Sequence, residues 1–145
     1  MGEFTAKINP TYKDVCSGTS GYTEVAHITF NPKKATYRDL VRFFFSFHDP
    51  TTENRQGNDR GEQYASTIFV NNDAQKKIAE EVIAELNDHL AKNEVKFRLN
   101  RQFEGKTVTT AVRHSTLFYP AHAEHQLYLD KNPDGYCTHS IRFDW

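Results

Sequence analysis

Cysteine and long apolar runs are scarce in this chain of 145 residues. Its two cysteines, Cys16 and Cys137, are too few for the disulfide framework of a small secreted domain, and there is no second pair to build a four-thiolate zinc site. No stretch approaches the roughly 20 apolar residues of a membrane span, and the opening residues lack the apolar core of a secretory signal. We therefore expect a soluble, cytoplasmic protein, although the sequence does not exclude an organelle.

An excess of either charge is absent as well, since 18 Lys and Arg stand against 19 Asp and Glu. Without a positive field, neither nucleic acid nor an anionic membrane is an expected partner. Aromatic residues, in contrast, make up 13% of the chain and supply large side chains for a core. No repeat or Pro/Gly/Ser-rich linker interrupts the pattern, so we expect one domain, residues 1–145, and a monomer.

Residues 22–30 alternate between a more apolar and a more polar face, as the residues of a β-strand do. The even positions share a mostly apolar face: Tyr22, Glu24, Ala26, Ile28 and Phe30. The alternation predicts a strand here, and it places the carboxyl group of Glu24 on the more apolar face.

Two segments show helical periodicity. The first opens with Thr36 and Asp39 and ends at Pro50, and its apolar residues predict a short buried helix: Leu40, Phe44 and Phe47. The second is capped by Asn72 or Asp73, and apolar residues four apart give it one apolar face: Ile78, Val82, Leu86 and Leu90. This pattern predicts an amphipathic surface helix.

The remaining segments predict a loop, three strands and a third helix. The loop covers residues 51–64, the strands 66–70, 95–103 and 107–113, and the helix begins at Pro120 and ends before residue 132. Because strands and helices mix irregularly, we expect an α+β domain with helices packed on one mixed or antiparallel sheet.

Three side chains stand out for their chemistry. An acid on an apolar face, such as Glu24, has a raised pKa and could donate a proton; the alternative is a strand-end glutamate paired with Arg or Lys. Cys137 follows a turn and could exchange disulfides, or it could be an inert thiol. Cys16 is more simply interpreted as a small buried residue.

Potential metal ligands are crowded into the last quarter of the chain: His114, His122, His125, Cys137 and His139. Their spacing contains no tight pairing such as His-Glu-x-x-His, so it gives only weak support to a metal site. We expect no metal.

Five segments, taken in order, resemble the motifs of the type A peptide methionine sulfoxide reductases: NPTYKDVCSG, TEVAHITFNP, FFFSFHDPTTENRQGNDRGEQYAST, FYPAHAEHQLYLDKNP and DGYC. The resemblance runs from Asn9 to Cys137. It implies a ferredoxin-like two-layer sandwich and reduction of the S epimer of methionine sulfoxide, free or in proteins, as repair of oxidative damage. It also implies thiol chemistry without a cofactor and recycling by thioredoxin or another dithiol.

The resemblance also implies roles for individual residues. Glu24 corresponds to the acid that protonates the sulfoxide oxygen, and Tyr64 and Tyr136 to tyrosines whose hydroxyls bind that oxygen. Asp59 corresponds to a pocket carboxylate that helps to hold substrate, and His125 is a second candidate for substrate binding. Cys137 corresponds to the recycling cysteine.

The sequence departs from the family at the nucleophile. Family members carry it in a Gly-Cys-Phe-Trp-Gly motif at the end of the first strand, whereas this sequence has no such motif and its one Trp is Trp145. Cys16 matches a different family position. We therefore expect a chain truncated at its N-terminus, lacking that strand and helix. Two hypotheses follow, a reductase whose chemistry belongs to a longer protein, and a non-catalytic remnant that binds oxidised methionyl peptides.

Overall fold

A computed structural model gives the positions of residues 8–18, 20–137 and 139–145. The described part contains four α-helices, four short strands and one 3₁₀ turn. In chain order they are α1 (Tyr12–Cys16), α2 (Tyr37–Phe47), β1 (Arg55–Gln56), β2 (Asp59–Arg60), the 3₁₀ turn (Glu62–Tyr64), β3 (Thr67–Val70), α3 (Asp73–Ala91), β4 (Ala111–His114) and α4 (Tyr128–Lys131).

Helices α2 and α3 begin where the sequence predicts. The Thr36 hydroxyl accepts from the Asp39 backbone N–H while the Asp39 carboxylate accepts from the Thr36 backbone N–H, so both ends of a capping box are made. At α3 the cap is Asn72, whose side chain accepts from the Gln75 N–H. Local capping therefore fixes the start of both helices.

The two helices pack against each other and form the core of the described part. Its fully or nearly buried members are Val41, Phe45, Val82, Leu86 and Phe143. Burying a side chain of this size contributes about 1.5–3 kcal/mol. Ion pairs of Arg38 and Arg42 with Glu81 and Glu85 join the same helices at the surface.

The buried stripe of α2 differs from the prediction. Val41 and Phe45 face α3, whereas the predicted Leu40, Phe44 and Phe47 are only half-buried. A run of three Phe leaves the orientation of the helix undetermined by periodicity alone, and the contact with α3 selects it.

Four further predictions are corrected by the structure. Residues 22–30 form no strand, and residues 95–103 contribute a single bridge, Phe97 to Phe143. The strand predicted over 107–113 is β4, which begins at Ala111. The helix predicted from Pro120 covers Tyr128–Lys131 only, because Leu127 adopts a left-handed φ of 52° and the preceding residues form turns.

The described strands form two small sheets, and none of them closes into a barrel. β3 and β4 are parallel and α3 connects them, as a parallel crossover requires. β1 and β2 form an antiparallel hairpin inside the segment that the sequence predicts as a loop. The architecture is thus helices with small sheets of mixed direction.

The last residues of the chain lie across the C-terminal end of α2. Backbone N–H groups of Ser140 and Arg142 donate to the carbonyls of Phe47 and Ser46, at 3.0 and 2.7 Å. The Trp145 indole N–H donates to the Arg42 carbonyl at 2.7 Å. These contacts anchor the segment that follows Cys137. Within the described part, no helix is both long and apolar enough to span a membrane.

Candidate functional site

The hairpin that carries Asp59 is held by a buried segment that follows α2. The Gln56 side chain accepts from the Asp49 backbone N–H at 3.2 Å and donates to the Asp49 carbonyl at 3.3 Å. Gly57 takes a φ of 59° in the turn, and the Gly61 N–H donates to the Asn54 carbonyl at 2.9 Å. These bonds fix the position of Asp59 and lead into the 3₁₀ turn that carries Tyr64.

Glu24 is connected to this turn through its backbone. Its N–H donates to the Gln63 carbonyl at 2.9 Å, so the extended segment of Glu24 lies beside Tyr64. The surrounding residues raise the pKa of the Glu24 carboxyl. The largest cause is the loss of part of its hydration, the negative charge of Asp59 adds to it, and His125 acts in the opposite direction. Glu24 therefore holds its proton to a higher pH than an ordinary glutamate.

Tyr64 shares this environment. Partial burial raises the pKa of its hydroxyl, and the charges of Glu24, Asp59 and Cys16 add to the effect. A phenol kept protonated in this way is a hydrogen-bond donor at neutral pH.

The side chains around Glu24 form a cluster, which consists of Glu24, Asp59, Tyr64 and His125. Tyr12 is a further member, and the sequence interpretation missed it. A hydrogen bond with the Cys16 side chain is the main cause of its raised pKa, and Tyr64 and Glu24 contribute. The Tyr12 ring stacks on the His125 imidazole, with centroids 4.9 Å apart and planes at 19°. Tyr12 lies in NPTYKDVCSG, one of the segments that carry the resemblance, and this is the signal from which it could have been found.

Cys16 is exposed, so its interpretation as a buried residue was wrong. It ends α1, a helix of five residues without a buried side chain. The thiol therefore lies at the rim of the cluster, beside Tyr12 and Tyr64.

The C-terminal segment brings Tyr136 next to the hairpin that carries Asp59. The Asn58 side-chain N–H donates to the Tyr136 hydroxyl at 3.5 Å, and both residues are exposed. The Cys137 Sγ is also exposed and lies 3.8 Å from Nδ1 of His139. Partial burial lowers the pKa of His139 and the Arg142 charge lowers it further, whereas Asp59 acts in the opposite direction. The Asp59 carboxylate thus acts on both Glu24 and His139.

The potential metal ligands of the last quarter of the chain form no metal-binding group in the described part. Among the residues whose positions are given, no group of three or more His, Cys, Asp or Glu side chains is arranged to hold a metal ion. His114 pairs with Asp73 at 3.4 Å, whereas His125 stacks on Tyr12.

The cluster is suited to binding a polarised oxygen. A protonated carboxyl group and phenol hydroxyls all donate hydrogen bonds, and donors of this kind stabilise negative charge that develops on an oxygen. A carboxyl group with a raised pKa can also release its proton to that oxygen.

The family model for peptide methionine sulfoxide reductase matches residues 4–144. This chain belongs to that family. The peptide methionine sulfoxide reductase MsrA of Polynucleobacter asymbioticus is 41% identical over 134 residues, which is 92% of this chain and 64% of that relative. A probable peptide methionine sulfoxide reductase of Schizosaccharomyces pombe is 40% identical over 94% of this chain and 74% of its own length.

Solved structures of two other proteins have a similar fold. Reduced Mxr1 from Saccharomyces cerevisiae matches with a TM-score of 0.75 and 37% identity, over 97% of this chain and 72% of that one. Methionine sulfoxide reductase A of Corynebacterium diphtheriae matches with a TM-score of 0.68 and 30% identity, over 91% and 61%. The chain thus spans about two thirds of the length of these relatives.

Proposed function

We propose that this chain contributes the acid and the oxygen-binding groups to the reduction of methionine S-sulfoxide, peptide-bound or free, in protein repair after oxidative stress. Glu24 donates the proton, Tyr64 and Tyr136 bind the sulfoxide oxygen, and Asp59 and His125 help to hold the substrate. We add Tyr12 to the groups proposed to bind the oxygen, because its ring stacks on the His125 imidazole. The family membership of the chain supports this proposal.

The chemistry requires a nucleophilic thiol besides these groups. Attack of a thiolate on the sulfoxide sulfur, with protonation of the oxygen, gives methionine and a sulfenic acid on the attacking cysteine. Cys137 then forms a disulfide with that cysteine and releases water, and thioredoxin or another dithiol reduces the disulfide. Neither Cys16 nor Cys137 lies in a Gly-Cys-Phe-Trp-Gly motif, so we propose that neither of them is the nucleophile.

We further propose that the chain is one domain with the ferredoxin-like two-layer sandwich that the resemblance implies. The membership of the chain in the family supports this proposal. Such a sandwich contains split β-α-β units, in which another strand separates the two parallel strands, whereas β3 and β4 pair directly in the described part. The protein is proposed to act as a cytoplasmic monomer, without a prosthetic cofactor, with thioredoxin as its protein partner.

The position of Glu24 beside the turn that carries Tyr64 is the observation that carries the proposal, since its N–H donates to the Gln63 carbonyl at 2.9 Å. Partial desolvation and the nearby Asp59 carboxylate raise the pKa of Glu24 there, and both favour the protonated acid that a proton donor must be.

Replacing Glu24 with Gln tests this assignment. The amide can still donate a hydrogen bond but cannot titrate. We expect the unmodified protein to bind the S-sulfoxide of N-acetylmethionine N-methylamide about tenfold more weakly above the Glu24 pKa than below it, because the ionised carboxylate loses its donor. We expect binding to Glu24→Gln to be independent of pH. NMR chemical-shift titrations between pH 4 and pH 8 measure both dissociation constants.

Glu62→Gln is the matched control, because Glu62 is an exposed glutamate of the same 3₁₀ turn that carries Tyr64. We expect it to keep the pH dependence of the unmodified protein. If Glu24→Gln kept that dependence too, another group would be the titrating donor and the assignment of Glu24 would be wrong.

The second candidate function is a non-catalytic binder of oxidised methionyl peptides. The observation in its favour is that the acid and phenol groups are present while the nucleophile motif is absent from this sequence. Binding of sulfoxide without turnover, in the presence of dithiothreitol, supports this candidate. S-selective turnover that is lost in Cys137→Ser would instead make Cys137 the nucleophile.

A further inference from the structure

His139 lies next to the thiol that is proposed to recycle the enzyme. Its Nδ1 is 3.8 Å from the Sγ of Cys137, within the range of a hydrogen bond that involves sulfur. His139 follows the DGYC motif and is not part of any segment that carries the family resemblance. We propose that His139 is a catalytic base that removes the proton of the Cys137 thiol during disulfide formation.

The position of the imidazole is fixed from two sides. Its ring packs against the ring of Phe47, with centroids 5.3 Å apart. The next residue, Ser140, donates its backbone N–H to the Phe47 carbonyl at 3.0 Å, and Arg142 donates to the Ser46 carbonyl at 2.7 Å. Because both the ring and the following backbone are attached to the C-terminal end of α2, His139 stays beside Cys137 while the thiol itself remains exposed.

The groups around His139 favour the neutral imidazole that a base requires. Partial burial lowers the pKa of His139, and the Arg142 guanidinium lowers it further, whereas the Asp59 carboxylate acts in the opposite direction. The buried His48 also lies within electrostatic range of His139, and its pKa is lowered to about 4. His48 is therefore neutral near pH 7 and leaves the charge balance at His139 unchanged.

The chemical step follows from this geometry and rests on the proposed function. Nδ1 of His139 takes the thiol proton, and the Cys137 sulfur attacks the sulfur of a protein sulfenic acid. The new S–S bond forms as the S–O bond breaks, so Cys137 is oxidised and the sulfenic sulfur is reduced. The leaving hydroxide takes the proton from the imidazolium and departs as water.

Alkylation of the two cysteines by iodoacetamide tests this role without any sulfoxide. Peptide-resolved mass spectrometry gives the rates at Cys137 and Cys16 separately, in one sample, at pH 7. We expect His139→Gln to lower the rate at Cys137 roughly tenfold, because the thiolate is the reacting species and an unassisted thiol holds only a small fraction of it. The rate at Cys16 serves as the internal control and should not change.

Added imidazole distinguishes a base from a residue that only packs. We expect imidazole to restore the rate at Cys137 in His139→Ala and to leave Cys16 unaffected. Equal Cys137 rates in the unmodified protein and His139→Gln, or equal acceleration of both cysteines by imidazole, would overturn the proposal. Neither readout requires turnover, so loss of the sulfoxide chemistry would not be mistaken for failure of the base.

Discussion

Asp49→Ala is expected to destabilise the protein by about 3 kcal/mol or more, because it leaves several donors without an acceptor. The Asp49 carboxylate is buried and accepts from the Thr51 N–H and hydroxyl, at 3.0 and 2.6 Å, and from the Glu104 N–H at 2.8 Å. It thereby joins the end of α2 to the segment around Gly105, whose N–H donates to the Thr51 hydroxyl at 2.8 Å. Urea denaturation measures the change.

A graded series makes the Asp49 prediction specific. Asp49→Asn keeps an acceptor for Thr51 but turns an amide N–H toward the Glu104 N–H. We therefore expect a decrease in the free energy of unfolding that is smaller than that of Asp49→Ala. Glu53→Ala, which removes an exposed carboxylate from the same loop, should change the free energy of unfolding by less than about 0.5 kcal/mol. Equal effects at Asp49 and Glu53 would show that the hydrogen bonds of Asp49 do not stabilise this segment.

The second large effect is a loss of stability in mild acid that originates at His48. The ring is buried, its Nδ1 lies 2.6 Å from the Phe44 carbonyl, and its Nε2 lies 2.8 Å from the Ser66 hydroxyl. A carbonyl can only accept, so Nδ1 carries the proton and Nε2 accepts from Ser66. Burial then lowers the His48 pKa from 6.5 to about 4.

The sign of the pH dependence follows from that shift. The unfolded chain binds the His48 proton below pH 6.5, whereas the folded chain binds it only near pH 4, so stability is complete above pH 6.5 and falls as the pH decreases between these values. At about 1.4 kcal/mol per pH unit, the loss amounts to about 3 kcal/mol over the whole interval.

His48→Gln provides the comparison, because it has no titrating group at this position. The difference in unfolding free energy between the unmodified protein and His48→Gln should shrink as the pH is lowered from 7 to 4.5. The pKa of His139 is also lowered, but His139 is present in both proteins, so its contribution to the difference in unfolding free energy cancels. A difference that stays constant over this range would mean that His48 is not the source of the acid sensitivity.

The features that the sequence predicts best are those set by neighbouring residues. The capping box of Thr36 and Asp39 and the cap at Asn72 involve residues three apart, and both helices begin there. The apolar face of α3 also packs as expected, with Val82 and Leu86 fully buried. The fold class could be predicted in outline, as helices with β-strands, but the strands of the described residues form two small sheets and not the one sheet that the sequence predicts.

The features that the sequence predicts poorly depend on contacts between distant segments. Residues 22–30 alternate like a strand, but alternation does not provide a pairing partner, and the N–H of Glu24 bonds to Gln63 instead. The helix predicted from Pro120 is interrupted because the backbone of Leu127 adopts a left-handed conformation, which is not expected for a leucine from the sequence. Tyr12 and His139 enter the site through a short helix and a tail contact that periodicity does not detect.

Two kinds of sequence evidence predicted members of the cluster. The residues indicated an unusual acid at Glu24, and the resemblance implied partners for it. The structure places Asp59, Tyr64 and His125 near that acid, and their roles in binding and proton transfer stay predictions. Loss of hydration raises the pKa of Glu24, as the sequence interpretation expected, and the Asp59 charge adds to it. The residue does not lie on the apolar face of a paired strand, however, because residues 22–30 form no strand.

The most direct test of the proposed site compares the two sulfur epimers of the same ligand. NMR titration of the unmodified chain at pH 5 with the separated S and R sulfoxides of N-acetylmethionine N-methylamide gives both dissociation constants. We expect the S epimer to bind more tightly, with the largest shifts at Glu24, Tyr64 and Asp59. Equal binding of both epimers, or shifts that avoid these three residues, would contradict a site for methionine S-sulfoxide.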